Sequence, residues 1–94
     1  MSRRVAERSF VLESSSETVY APGYSYLSFR RVRVGMTAEQ VKQLLGEPLR
    51  AVAVSGGEVW VYSDSPVSRS YRMREVMFGA DSKVTAVVAE FVFD

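Results

Sequence analysis

The sequence of 94 residues contains no cysteine and no histidine. These two absences exclude disulfides, thiol nucleophiles, histidine general bases and the common zinc sites. The sequence also lacks any apolar run of the ~18 residues that a membrane-spanning helix needs. Only carboxylates, lysines or tyrosines could drive a reaction, so the composition favours a binding protein over an enzyme.

The carboxylates do not form a recognisable catalytic pattern. Asp64 and Asp81 stand in turn-like stretches, where aspartate is expected to bond to nearby backbone. Gly56 and Gly57 lie in a predicted hairpin and not at the start of a helix, so they do not form a phosphate-binding loop. We therefore expect no enzymatic activity, no metal, no cofactor and no small-molecule substrate.

The N-terminal part of the chain differs in composition from the rest. Residues 1–33 contain six arginines against three glutamates, and residues 1–23 show no sustained apolar period. This pattern predicts a flexible arm over 1–23, with a short extended stretch at Phe10–Leu12. One folded domain is expected over 24–94.

Two helices are expected at the start of that domain. Tyr26, Phe29 and Val32 recur at three-residue spacing, which indicates a short helix over roughly 24–32. Thr37 and Gln40 have the spacing of a capping box, which predicts a second helix over 37–45.

Local signals support the bounds of the second helix. Met36 and Val41 are placed to form a hydrophobic staple around the capping threonine. Gly46 ends the helix at a position that favours a left-handed residue, and Pro48 prevents the helix from continuing.

The rest of the chain is predicted to be sheet. Strands 49–54 and 58–63 flank a three-residue turn, and strands 71–78 and 83–93 flank a turn at 79–82. Residues 64–70 form a loop between the two hairpins. The predicted fold is α+β, with two N-terminal helices packed on one face of a 3–4 stranded antiparallel meander sheet.

Several short motifs on these elements resemble the SmpA/OmlA (BamE-like) domain family, the fold of an outer-membrane assembly lipoprotein. The resemblance covers roughly Val32–Val88. The residues that carry it are Val34-Gly35-Met36-Thr37, Gln40-Val41, Leu44-Leu45-Gly46, Pro48, Trp60-Val61-Tyr62, Val76-Met77-Phe78 and Lys83-Val84.

The resemblance implies a non-catalytic protein-interaction module linked to outer-membrane protein assembly in the bacterial cell envelope, with an assembly component as partner. The alternative is a cytoplasmic self-associating or inhibitor-type binding module with no envelope role. Two locations follow. The domain faces the periplasm at the outer membrane if Met1 replaces a removed signal, and it is cytoplasmic if Met1 is the natural start.

Four residues in the first hairpin region are candidate contacts. Trp60 and Tyr62 share one strand face, and such aromatic pairs often anchor a partner. Their alternative role is to pack under the helices. Leu49 and Arg50 are candidates because the resemblance places them in a loop that faces partners in the family.

The last strand is apolar on both faces. Its candidate contacts are Val87, Phe91 and Phe93. A terminal strand of this kind predicts an exposed edge that forms a homodimer or captures a partner strand. In the alternative, the arm residues Phe10–Leu12 and Tyr20 cover the second face within one chain.

Arginines form two groups in the sequence, Arg30, Arg31 and Arg33, and Arg69, Arg72 and Arg74. Residues 34–94 nevertheless contain six basic against eight acidic residues, so acidic residues are available as ion-pair partners. We interpret both groups as solvated surface and expect no nucleic-acid binding.

Overall fold

A computed structural model describes residues 3–6, 18–65 and 71–93 of the chain. The predicted stretch Phe10–Leu12 lies outside the described residues. The elements in chain order are β1 (Arg3–Ala6), β2 (Val19–Tyr20), α1 (Tyr26–Phe29), α2 (Ala38–Leu45), β3 (Arg50–Val54), β4 (Gly57–Val61), β5 (Ser63–Asp64), β6 (Tyr71–Gly79) and β7 (Val84–Phe93).

The strands form two antiparallel sheets. The main sheet has the order β1-β7-β6-β4-β3, and a small second sheet pairs β2 with β5. The meander of β3, β4, β6 and β7 was predicted, and the α+β class is confirmed. The fifth strand, β1, was not predicted, because its Arg-Arg-Val-Ala sequence lacks an apolar alternation.

The pairing of β1 corrects the prediction for the last strand. Arg3 lies opposite Phe93 and Ala6 lies opposite Glu90, so β7 is flanked by β1 on one side and β6 on the other. The expectation that the C-terminal strand is an exposed edge is therefore wrong in this fold. The proposed division of the chain at residue 23 stays a prediction.

Helix α1 is shorter than predicted. The Ser25 side chain caps it by accepting a hydrogen bond from the Ser28 N–H at 3.1 Å. After Phe29 the chain continues in single turns, and the N–H of Val32 donates to the Phe29 carbonyl. Phe29 and Val32 are buried, so the predicted apolar face exists although the regular helix spans only Tyr26–Phe29.

The structure confirms the capping box and the glycine stop that the sequence predicts for helix α2. The Thr37 hydroxyl accepts from the Gln40 N–H, and the Gln40 side chain accepts from the Thr37 N–H at 2.9 Å. Gly46 ends the helix at a φ of 72°, a conformation that costs glycine little. Val41 and Leu45 turn toward the sheet and are fully buried.

The first hairpin has a tighter turn than predicted. Val54 pairs with Gly57, so the turn contains two residues, Ser55 and Gly56, instead of three. Gly56, the second turn residue, has a φ of 80°, a conformation that costs glycine little. Gly57 serves a different purpose, since a β-carbon there would lie 1.8 Å from the Phe78 carbonyl oxygen.

The hydrophobic core lies between the helices and one face of the main sheet. It is formed by buried side chains from both layers: Ala21, Phe29, Val32, Val41, Leu45, Trp60, Tyr62, Val76, Phe78 and Val84. The sheet face covered by α1 and α2 is called the helix face below, and the opposite face is called the second face. No helix in the described part of the chain is long and apolar enough to cross a bilayer.

Candidate protein-binding surface

Trp60 lies in the core, not on the surface. Its side chain is 6% exposed, and its ring packs against Phe78 at a centroid distance of 4.4 Å. The indole N–H donates to Glu58 Oε1 at 2.7 Å, and the Lys42 ammonium lies 5.6 Å from the ring centroid. The structure thus places Trp60 under the helices, as the alternative above describes.

Tyr62 joins the sheet to the end of helix α2. Its side chain is fully buried, and its hydroxyl donates to the Gly46 carbonyl at 2.9 Å. Burial raises the pKa of Tyr62 well above its ordinary value, and the nearby charge of Glu47 raises it further. The hydroxyl therefore stays protonated and continues to donate to the helix end at high pH.

Leu49 and Arg50 are exposed, as a partner-facing loop requires. They follow helix α2 and border a shallow depression with Val19 and Asp64. The Arg50 guanidinium pairs with the Asp64 carboxylate at 3.1 Å, with both side chains about half exposed. An exposed pair of this kind stabilises the fold by only ~0–1 kcal/mol, so both groups are available to a partner at small cost.

Most of the exposed large apolar side chains lie along one edge of the sheet, and two of them, Val19 and Leu49, border this depression. Val19, Leu49, Val52 and Val54 are between 38% and 47% exposed, and all four lie on or beside β3. Isolated apolar side chains on a surface need no explanation, but neighbouring ones mark a contact site. The part of this edge around Leu49 is the strongest candidate binding surface among the described residues.

Two of the candidates on β7, Val87 and Phe91, are less exposed than Leu49 and Arg50. Val87 is partly buried and packs against the core, and the Arg72 guanidinium lies 5.3 Å from the ring centroid of Phe91. Phe93 lies opposite Arg3 of β1 in the antiparallel pairing of β1 with β7. A contact role for these side chains, as for Trp60 and Tyr62, stays a prediction.

The second arginine group corrects the interpretation as solvated surface. Arg72 is 7% exposed and Arg74 is fully buried, while Arg69 lies outside the described residues. The signal was present in the sequence, because both arginines are in phase with the core residues Val76 and Phe78 on one strand. The first group, at positions 30, 31 and 33, is exposed as expected.

Arg74 is held by polar and aromatic contacts. Its Nε donates to the Tyr24 hydroxyl at 3.1 Å, and an Nη donates to the Met73 carbonyl at 3.0 Å. The Phe29 ring lies 6.0 Å from its guanidinium carbon. Because a buried charge needs such partners, this arginine ties the segment before α1 to the sheet and is not a surface contact.

The carboxylates act within turns and ion pairs. Asp64 accepts from the Ser65 N–H at 2.8 Å, and Asp81 accepts from the Lys83 N–H at 3.1 Å. Both aspartates accept a backbone hydrogen bond as predicted, and Asp81 lies in the predicted turn, whereas Asp64 lies in the short strand β5. Within residues 3–6, 18–65 and 71–93, no three acidic side chains come together in a group that could hold a metal ion.

Two short helices on one face of an antiparallel sheet define a small α+β domain with an exposed apolar edge. A family model, the outer membrane protein assembly factor BamE domain, matches residues 25–87, which are 63 of the 94 residues. The chain belongs to the BamE domain family, and the predicted SmpA/OmlA-like resemblance is confirmed. A comparison with curated proteins finds no match.

The matched range follows the structure closely. It begins at Ser25, which caps α1, and ends at Val87, inside β7. Leu49 and Arg50 fall within it, while Phe91 and Phe93 fall beyond it. The family is one of outer membrane assembly factors, which bind other proteins and are not enzymes.

Proposed function

We propose that this chain is a non-catalytic protein-binding domain that acts in outer membrane protein assembly at the cell envelope. The family match over residues 25–87 carries the proposal. The arrangement of the described side chains supports it, because the carboxylates serve the fold and four of the six exposed large apolar side chains lie on or beside the edge strand β3.

The proposed contact for the assembly partner is the depression around Leu49. Leu49 supplies apolar area at 38% exposure, and the Arg50–Asp64 pair beside it supplies charged hydrogen-bonding groups of both signs. An apolar centre with a polar rim is the usual anatomy of a protein interface. Leu49 also lies four residues after the last residue of α2, whose end is fixed by the bond between Tyr62 and Gly46.

The alternative function, self-association through the C-terminal strand, has less support. Both edges of β7 are paired within one chain, so a second copy would first have to displace β1. Loss of that pairing would break the backbone hydrogen bonds that join Arg3–Ala6 to the sheet.

A pair of charge substitutions tests the proposed contact. Leu49→Asp places a carboxylate in the depression, while Leu27→Asp changes a leucine that is 71% exposed on α1. We expect Leu49→Asp to reduce the co-purification of outer membrane assembly proteins from envelope fractions at least about tenfold, because a buried unpaired charge opposes binding.

The control should co-purify the same proteins as the unchanged chain. Equal recovery with both variants would contradict the proposed contact, and recovery of no assembly protein with the unchanged chain would contradict the proposed function. Thermal melting of both variants establishes that they are folded.

A further inference from the structure

Strand β3 forms one edge of the main sheet. Among residues 3–6, 18–65 and 71–93, it pairs only with β4. All five of its residues are exposed, and Ala51–Val54 contain no charge, no proline and no bulge. Proteins usually protect an edge strand with such features, so β3 is open to pairing with a further strand.

The backbone groups that β3 presents outward follow from the register. Val54 and Gly57 close a two-residue hairpin turn, and such a closing pair exchanges backbone hydrogen bonds. Bonded and non-bonded pairs then alternate, so Arg50, Val52 and Val54 bond to β4. A bond just after β4 agrees with this alternation, because the Tyr62 N–H donates to the Arg74 carbonyl of β6. The even-numbered residues of β4 therefore bond to β6, and the odd-numbered ones bond to β3.

It follows that Ala51 and Ala53 point their N–H and C=O groups away from β4. These four groups can bond to an antiparallel strand in one register without disturbing the hairpin. The spacing is self-complementary, because Ala51 of one copy and Ala53 of another form a bonded pair when the two Val52 residues lie opposite each other.

We propose that two copies of this chain pair antiparallel through β3, with Val52 at the two-fold axis, to form one ten-stranded sheet. In this register Arg50 lies opposite Val54 of the second copy, so no like charges face each other. The two Val52 side chains, each 42% exposed, cover one another on the second face. This inference goes beyond the proposed envelope function and does not depend on it.

The opposite edge explains why the assembly stops at two copies. The outer strand there is β1, which begins with Arg3 and Arg4, and charged residues of one sign disfavour edge pairing. Pairing of β3 with β3 uses the same surface on both copies and therefore closes as a dimer. Two five-residue strands bury less than the ~1,200–2,000 Å² of a standard interface, so the dimer should depend on protein concentration.

Single cysteines test the register directly, because the natural chain has none. In Val52→Cys, the two cysteines meet as a non-hydrogen-bonded pair with α-carbons ~4.5 Å apart, which suits a disulfide. In the matched control Val54→Cys, the two cysteines stand four residues apart along the paired strands, or ~13 Å. We expect oxidised Val52→Cys to form covalent dimers at least about tenfold faster than Val54→Cys.

Charge exchange at the same position gives an independent test. Val52→Lys and Val52→Glu should each remain monomeric in analytical ultracentrifugation, because like charges meet at the axis, and an equimolar mixture should dimerise. Val34→Lys changes a valine that is 70% exposed in the loop before α2, and it should dimerise like the unchanged chain.

Equal cross-linking of the two cysteine variants would overturn the proposed register. A natural chain that stays monomeric up to ~1 mM would overturn the dimer itself. Neither result would affect the proposed binding of an assembly protein, which is measured with a different variant and a different partner.

Discussion

The bond between Tyr62 and the end of α2 makes a specific prediction for stability as a function of pH. Tyr62→Phe removes the hydroxyl that donates to the Gly46 carbonyl at 2.9 Å and leaves the rest of the buried ring in place. At pH 8 we expect the variant to lose about 1 kcal/mol of unfolding free energy, the usual contribution of such a hydrogen bond.

The difference should disappear at high pH. Burial raises the pKa of Tyr62 in the folded chain, while the unfolded chain keeps the ordinary value of 10.0. Above pH 10 the unfolded state therefore loses a proton that the folded state retains, and stability falls as the pH rises. At pH 11 this linkage costs on the order of 1 kcal/mol, and Tyr62→Phe is free of it, so the two proteins should be about equally stable there.

Urea unfolding followed by tryptophan fluorescence measures this difference, because Trp60 is the only tryptophan and is buried. Tyr26→Phe removes a hydroxyl from a partly exposed side chain near Arg30 and serves as the matched control. It should keep the steep loss of stability above pH 10. The reasoning is refuted if Tyr62→Phe loses stability with pH as steeply as the unchanged chain.

Two further predictions concern the local geometry of α2 and of the first hairpin. Thr37→Ala removes the capping hydroxyl and should lower the unfolding free energy, measured by urea unfolding, by about 1 kcal/mol. The control Thr37→Ser keeps a capping hydroxyl and should change it by less than about 0.5 kcal/mol. Gly57→Ala should lower the melting temperature more than Gly56→Ala does. A β-carbon at position 57 would lie 1.8 Å from the Phe78 carbonyl oxygen. A β-carbon at position 56 would have no atom within 4 Å, so that variant bears only the strain of a positive φ. Equal melting temperatures for the two glycine variants would contradict the proposed clash.

Helix α2 was predictable because its signals are local. The Thr37–Gln40 capping box and the Gly46 stop all act within one or two turns of the chain. Each signal contributes to the same short segment, so no knowledge of the tertiary fold is needed to combine them. The meander was predictable for a similar reason, since its successive strands are joined by short turns.

Features that depend on distant pairing were not predictable in this way. β1 joins the sheet through Phe93 and Glu90, more than 80 residues away, and nothing in Arg3–Ala6 identifies it as a strand. The charge of Arg74 led to the wrong prediction of a surface position. Its phase with Val76 on the same strand would have placed it on the helix face.

The candidate surface was only partly predictable from sequence. Trp60 and Tyr62 share a face as predicted, but periodicity cannot say which face the helices cover, and the structure shows that they cover the aromatic one. Leu49 and Arg50 came from the family resemblance, and their exposure agrees with a contact role. The free edge of β3 required the full strand order, which includes β1.

The central claim is that this BamE-family domain binds an outer membrane assembly protein through the surface around Leu49. Site-specific photo-cross-linking in intact bacterial cells tests it most directly, with benzoylphenylalanine at position 49 and, as the control, at position 27. The account predicts an adduct with an outer membrane assembly protein from position 49 and none from position 27. The absence of such an adduct at position 49, or equal yields at both positions, would contradict it.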